Sequence, residues 1–189
     1  MERAVRRIGY LLVLAALTGL VIAVDQRSKE LVRTRLALGE SWNPVEWLRP
    51  YVNITYWTNT GMAFGQFKGG GQVLTIVAFV VSGIIVWYYW NLPPGQWPVR
   101  VALGMQLGGA LGNLVDRLQF GTVTDFIEVT HFPVFNLADA SISLGVAALA
   151  FVLWREGANK RPIDDAATDR PAAQTYSPPG REKVAPGND

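Results

Sequence analysis

The sequence predicts an all-α membrane protein with four transmembrane helices. Three observations carry this. Of the 189 residues 50% are hydrophobic and only 17% are charged, where soluble domains hold nearer a quarter. The mean hydropathy is positive, at +0.18. The shortage of charge is also uneven: none lies between Arg7 and Asp25, between Lys68 and Arg100, in Val101–Val115 or in Ala140–Trp154. Such runs suit helices that cross a bilayer and exclude a disordered chain or a conventional soluble enzyme.

The first span is expected over residues 8–24, behind the basic start Met1–Arg7. A cleaved signal peptide shares that charge pattern, but Ala23-Val24-Asp25 lacks a clean small-x-small exit. From Asp25 to Leu36 a polar helix continues out of the span, with Asp25 and Lys29 spaced for an i,i+4 pair. Tyr51–Trp57 alternates and is rich in β-branched and aromatic residues, as a short strand is, and Asn59-Thr60-Gly61 follows as a turn. The second span is expected over 72–90, ending in the aromatic belt Trp87–Trp90. The third covers 99–115, where Gly108, Gly109 and Gly112 suit close helix approach. Residues 116–134 read as an outer loop and 135–154 as the fourth span. The domain therefore closes near 155, and the polar, Pro-rich 156–189 reads as a disordered cytoplasmic tail. Four spans put both termini on one face and the loops 25–70 and 116–134 on the other. The N-terminal tail, the 91–100 loop and residues 155–161 together hold seven Lys/Arg, and the two long loops also hold seven. Short loops weigh more in the positive-inside rule, so the termini are expected to be cytoplasmic.

Absences narrow the chemistry. There is no cysteine, so no thiolate nucleophile and no Cys-based metal site, and His131 is the single histidine. No metal and no cofactor are expected. The net charge of +2 is too small to suggest nucleic acid as a partner. What remains is carboxylates beside lipid, where charge is costly and marks a functional site by default. Only thirteen residues lie between Asp125 and Asp139, within one short connection. Two close carboxylates can share a proton, one acting on water as base and the other on a carbonyl as acid. The spacing also fits a pairing of each carboxylate with Arg117, or a helix cap. Asp116 and Arg117 are adjacent and cannot face each other, so each reaches another element. Asn53, Asn59, Asn113 and Asn136 carry amides that both donate and accept, which suits gripping a peptide, a turn at Asn59 or an N-cap at Asn136. Asp25 reads as a structural anchor, and His131, Phe126, Phe132 and Phe135 as interfacial.

These residues form a pattern. Asp25-Gln-x-Ser-Lys29 closes the first span, and Asn53 leads through Asn59-Thr-Gly61-x-Ala63-Phe64. Next come Gly108-Gly-Ala-Leu-Gly112-Asn113-x-x-Asp116-Arg117 and Gly121-x-Val123-x-Asp125-Phe126, then Phe135-Asn136-x-Ala138-Asp139. The chain thereby closely resembles lipoprotein signal peptidase, or signal peptidase II, from about residue 8 to 155. The resemblance implies an aspartic endopeptidase of the bacterial inner membrane, multi-pass, with its site on the extracytoplasmic side. It would remove signal peptides from prolipoproteins, cutting before a cysteine that already carries diacylglycerol. By the same resemblance Asp125 and Asp139 are the catalytic dyad, and Asn59, Asn113, Arg117 and Asn136 position substrate or support the dyad. Asp25 and Asp116 stabilise the site, with Asn53 and Gly61 beside them. A small β cradle over 40–68 and a surface amphipathic helix are implied as well. The partners implied are lipidated prolipoproteins, membrane lipid and the inhibitor globomycin, and the chain is expected to act as a monomer. Two rival classes stay open: a proton-coupled transporter using both aspartates, disfavoured by four short spans without an internal repeat, and a non-catalytic membrane adaptor.

Overall fold

A computed structural model describes residues 2–61 and 70–159. Four long helices dominate: α1 (Glu2–Arg35), α2 (Gly70–Asn91), α3 (Trp97–Phe120) and α4 (Leu137–Asn159). A three-stranded antiparallel sheet joins them, in the order β1 (Ser41–Trp42), β2 (Val52–Asn59), β3 (Val123–Val129).

Among the described residues three helical segments are long and apolar enough to cross a membrane: Val5–Arg35, Gly71–Asn91 and Leu137–Ala158. α3 is not among them, which departs from the four spans expected. The reason lies in where α3 sits. It packs against α1, α2 and α4, so much of its surface meets protein rather than lipid. Its buried residues include Gly104, Gly108, Gly109, Gly112, Asn113 and Asp116, a composition that lets helices approach but lowers hydropathy. At Gly109 an added Cβ would stand 2.3 Å from the Ala138 carbonyl oxygen of α4, so only glycine allows this approach.

Other boundaries also differ from the sequence reading. α3 runs on to Phe120 and stops at Gly121, whose φ of +73° and N–H to the Arg117 carbonyl close the helix. Asp116 and Arg117 are therefore helical, not in a loop. The 116–134 connection contains β3, a strand the sequence reading left out. α1 continues to Arg35, as the polar helix after Asp25 was expected to do. Between 36 and 61 the chain holds no further α-helix, only a 3-10 turn at Glu46–Leu48, in place of a separate surface helix. α4 reaches Asn159, past the point where the tail was expected to begin. Ala63, Phe64 and the rest of 62–68 lie outside the described residues, as does the tail from 160.

The pairing of β2 with β3 sets up the site. From Val52 to Ile54, β2 pairs Val129 to Ile127; beyond an irregularity, Trp57 pairs Asp125 and Asn59 pairs Val123. One extra β2 residue is thus accommodated between Ile54 and Trp57, as in a β-bulge. Side chains alternate along a strand, so one inserted residue exchanges the faces of all that follow. Without it Asn59 would fall on the face opposite Asp125. A second connection returns the chain from β3 to α4: Phe135 bridges Ile127, its N–H donating to the Ile127 carbonyl at 3.0 Å. That return places Asn136 beside Asp125.

Candidate active site

Asp125 stands on β3 and is 1% exposed. Its two oxygens each accept one amide hydrogen bond. Asn59 Nδ2 donates to Oδ2 at 2.9 Å, and Asn136 Nδ2 donates to Oδ1 at 2.6 Å. Asn59 is held in turn by the left-handed residue after β2: the Gly61 N–H donates to Asn59 Oδ1 at 2.8 Å, with Gly61 at φ +75°. A Cβ there would also meet Leu74 at 2.2 Å. Burial pushes the Asp125 carboxyl up to about 6, and the negative charge of Asp139 adds to it, against the two amide donors and Lys29.

Asp139 lies in the first turn of α4. Asn113 Nδ2 donates to its Oδ1 at 2.7 Å, and the Asn136 backbone N–H donates to Oδ2 at 3.3 Å. The Asp139 N–H donates back to Asn136 Oδ1 at 2.9 Å. This reciprocal pair is a capping box, with Asp139 in the role usually filled by Glu or Gln. Asn136 is therefore both helix cap and bridge. Its fully buried side chain holds Asp125 by one end and starts the helix of Asp139 with the other. The sequence reading left cap and grip as alternatives, and one amide has the atoms for both.

Beneath the dyad lies a buried ionic hub. Lys29 is fully buried, and its Nζ sits 2.8 Å from Asp25, 3.3 Å from Asp116 and 2.9 Å from Asn113 Oδ1. Asp25 also accepts the Ala138 N–H of α4 at 2.9 Å, and Asp116 accepts the Thr124 N–H of β3 at 2.8 Å. Each carboxylate thus fixes an element that carries one member of the dyad. Gln26 Nε2 joins the hub, donating to Asp116 at 3.0 Å and to the Gly112 carbonyl at 3.0 Å. A cation between two carboxylates offsets the desolvation that would make either one costly.

Of the residues singled out from sequence, Asp125, Asp139, Asn59, Asn113 and Asn136 converge, Asp25 and Asp116 lie one layer below, and Gly61 aims Asn59. Arg117 is half-buried, and its neighbouring charges are Asp139, Asp125 and Asp116. Among the described residues it forms no ion pair, which leaves its donors available. Asn53 does not join them. It pairs Glu128 at the far end of β2, and its side chain bonds Asn43 at 3.0 Å and the Arg49 carbonyl at 3.2 Å. His131 is exposed, in a turn with φ +67°. The sequence reading missed Lys29 and Gln26 as site residues, although both lie inside the Asp25–Lys29 motif. It also missed Trp57, the cross-strand partner of Asp125, which is 53% exposed and has no motif to mark it.

An apolar helix bundle bearing two amide-bridged carboxylates at one end has the architecture of a membrane hydrolase. The comparisons narrow that class. A family model described as signal peptidase (SPase) II matches residues 17–155. The lipoprotein signal peptidase of Moorella thermoacetica is 45% identical over 134 residues, covering 71% of this chain and 87% of that protein. That of Halothermothrix orenii is 36% identical over 137 residues, covering 72% and 92%. A solved structure described as a bacterial membrane enzyme superposes with a TM-score of 0.72 at 28% identity, over 80% of this chain and 93% of that one. The chain belongs to the signal peptidase II family and is a membrane-bound protease.

Proposed function

We propose that Asp125 and Asp139 form an aspartic dyad that removes the signal peptide of a diacylglyceryl-modified prolipoprotein, cutting just before the lipidated cysteine. The observation that carries this is the shared amide: Asn136 ties a buried strand carboxylate to a carboxylate in a helix first turn. The pair shares one proton, and Asp125, whose carboxyl burial raises to about 6, serves as the acid. Asp139 serves as the base, taking a proton from water as the water oxygen attacks the scissile carbonyl carbon. Asp125 gives its proton to the carbonyl oxygen. Collapse of the tetrahedral intermediate re-forms the carbonyl, breaks the C–N bond and passes a proton to the departing amine. The dyad ends with the one proton it began with. Arg117 donates to substrate backbone carbonyls, while Asn59 and Asn113 hold the carboxylates in register.

The setting follows from the substrate. Acyl chains on the cysteine partition into lipid at about 0.8 kcal/mol per CH₂, so the bond to be cut is presented at the bilayer surface. In this reading α3 is the fourth span, protected from lipid by its neighbours, and the protein lies in the bacterial inner membrane. Its termini are cytoplasmic and its dyad extracytoplasmic. It acts as a monomer and is inhibited by globomycin binding at the dyad. The test is cleavage of a lipidated precursor in detergent or liposomes by wild type, Asp125→Asn and Asp139→Asn. Cleavage by wild type alone is expected. Full activity in either variant removes that residue from catalysis. Failure of a well-folded wild type on both lipidated and unlipidated precursor favours the adaptor.

A further inference from the structure

The end of the bundle away from the dyad carries a second polar feature. The start of α1, the end of α2 and the α2–α3 connection surround an open cleft of about 650 Å³. Arg6, Arg7, Tyr10, Tyr89, Trp90 and Arg100 line it, and among the described residues no carboxylate does. Arg7 and Asp25 are eighteen residues apart on α1, about 27 Å at 1.5 Å per residue, so the cleft lies nearly a bilayer core away from the carboxylates.

Arg100 is only 3% exposed. Its Nη2 donates to the carbonyls of Leu92 and Pro93 at 2.9 and 3.2 Å. Its guanidinium lies 3.9 Å from the Tyr10 ring centroid and 4.8 Å from that of Tyr89, while its buried Nε has no hydrogen-bond partner. Arg7 stacks over Trp90 at 5.5 Å, and Arg6 is exposed. Among the described residues none of these three arginines forms an ion pair. Among the described residues this buried guanidinium meets only carbonyls and π faces, and no anion pairs with it or with the two arginines beside it.

We infer that this cleft binds the phosphate of an acidic phospholipid headgroup. Planar guanidinium forks match phosphate oxygens, and aromatic walls hold the forks in place. The level also fits: Trp87, Trp90 and Trp97 are 67%, 49% and 46% exposed around the cleft, as aromatic residues are at a headgroup interface. Basic pockets between spans are a recurrent form of lipid recognition.

Native mass spectrometry of the full chain in detergent tests this. The probes are phosphatidylglycerol, phosphatidylcholine with the same acyl chains, and inorganic phosphate. Wild type is expected to retain phosphatidylglycerol about tenfold more strongly than phosphatidylcholine. Arg6→Gln with Arg7→Gln, at exposed side chains, is expected to remove that preference at unchanged melting temperature. Arg155→Gln, an exposed arginine outside the cleft, is expected to leave it intact. Equal retention of the two lipids, an unaffected double variant or an equal loss in Arg155→Gln overturns the inference. Saturation by inorganic phosphate with no competition from phosphatidylglycerol reassigns the cleft to the free ion and overturns the lipid source. No arm reads cleavage, so the result is independent of the proposed activity.

Discussion

Replacing Asn59 by alanine removes one hydrogen bond to the dyad and the turn bond that Asn59 accepts from the Gly61 N–H. Asn59 is exposed, and its amide donates to Asp125 Oδ2 at 2.9 Å. That bond favours the ionised carboxylate, so without it the Asp125 carboxyl rises further above about 6. A hydrogen bond to a charged group exceeds a neutral one by about 1 kcal/mol, and one pH unit corresponds to about 1.36 kcal/mol. Water replaces part of the lost donor at so open a position, so the upward displacement is roughly half a pH unit. Activity needs the shared proton and is lost as that proton leaves. The alkaline limb of kcat/KM against pH for a lipidated precursor is therefore expected to move up in Asn59→Ala, with kcat/KM at the optimum reduced about tenfold. Asn53→Ala, at the far end of the same strand, is expected to leave the limb in place. A limb that stays still or moves down in Asn59→Ala, at unchanged melting temperature, refutes the reasoning.

The other predictions concern what the site costs the fold. Asp125 binds its proton more tightly folded, near 6, than unfolded, near 3.8, so its contribution to stability is present below 3.8 and is lost as pH rises through about 6. At neutral pH the penalty approaches about 3 kcal/mol. Asp125→Asn is expected to abolish cleavage while melting higher than wild type at pH 7, with the advantage shrinking toward pH 4. An advantage that does not change with pH would exclude the titration as its cause. Lys29→Met leaves Asp25 and Asp116 buried around a neutral side chain, an expected loss of about 3–5 kcal/mol; a variant that melts within a degree of wild type would mean the hub contributes little. Gly109→Ala drives a methyl group against the Ala138 carbonyl oxygen, next to Asp139. Displacing the dyad by about 1 Å is expected to lower kcat/KM about 10²-fold, measured on protein whose helix content is unchanged by circular dichroism.

Much of this protein was legible in the chain. Uncharged runs located the four long helices, because lipid and a protein core both exclude charge, and carboxylates among such runs marked the site. The paired aspartates, the asparagines and Arg117 stood out because polar groups beside lipid are costly, and the resemblance to signal peptidase II gave them roles. Tertiary structure decided the rest. β3 was read as loop because its partner lies some seventy residues away and its pairing is invisible locally. The face that Asn59 presents depends on one extra residue in β2, which only the register reveals. The glycines, Asn113 and Asp116 that hold the hydropathy of α3 below that of a span can be read in the chain, but that they face α1 and α4 is a fact of packing. Asn53 and Asn59 look alike in sequence, six residues apart; the bulge and the left-handed Gly61 give only Asn59 to Asp125. Side-chain chemistry is carried by single residues and can be read one at a time, whereas the distance between two carboxylates belongs to the folded chain as a whole.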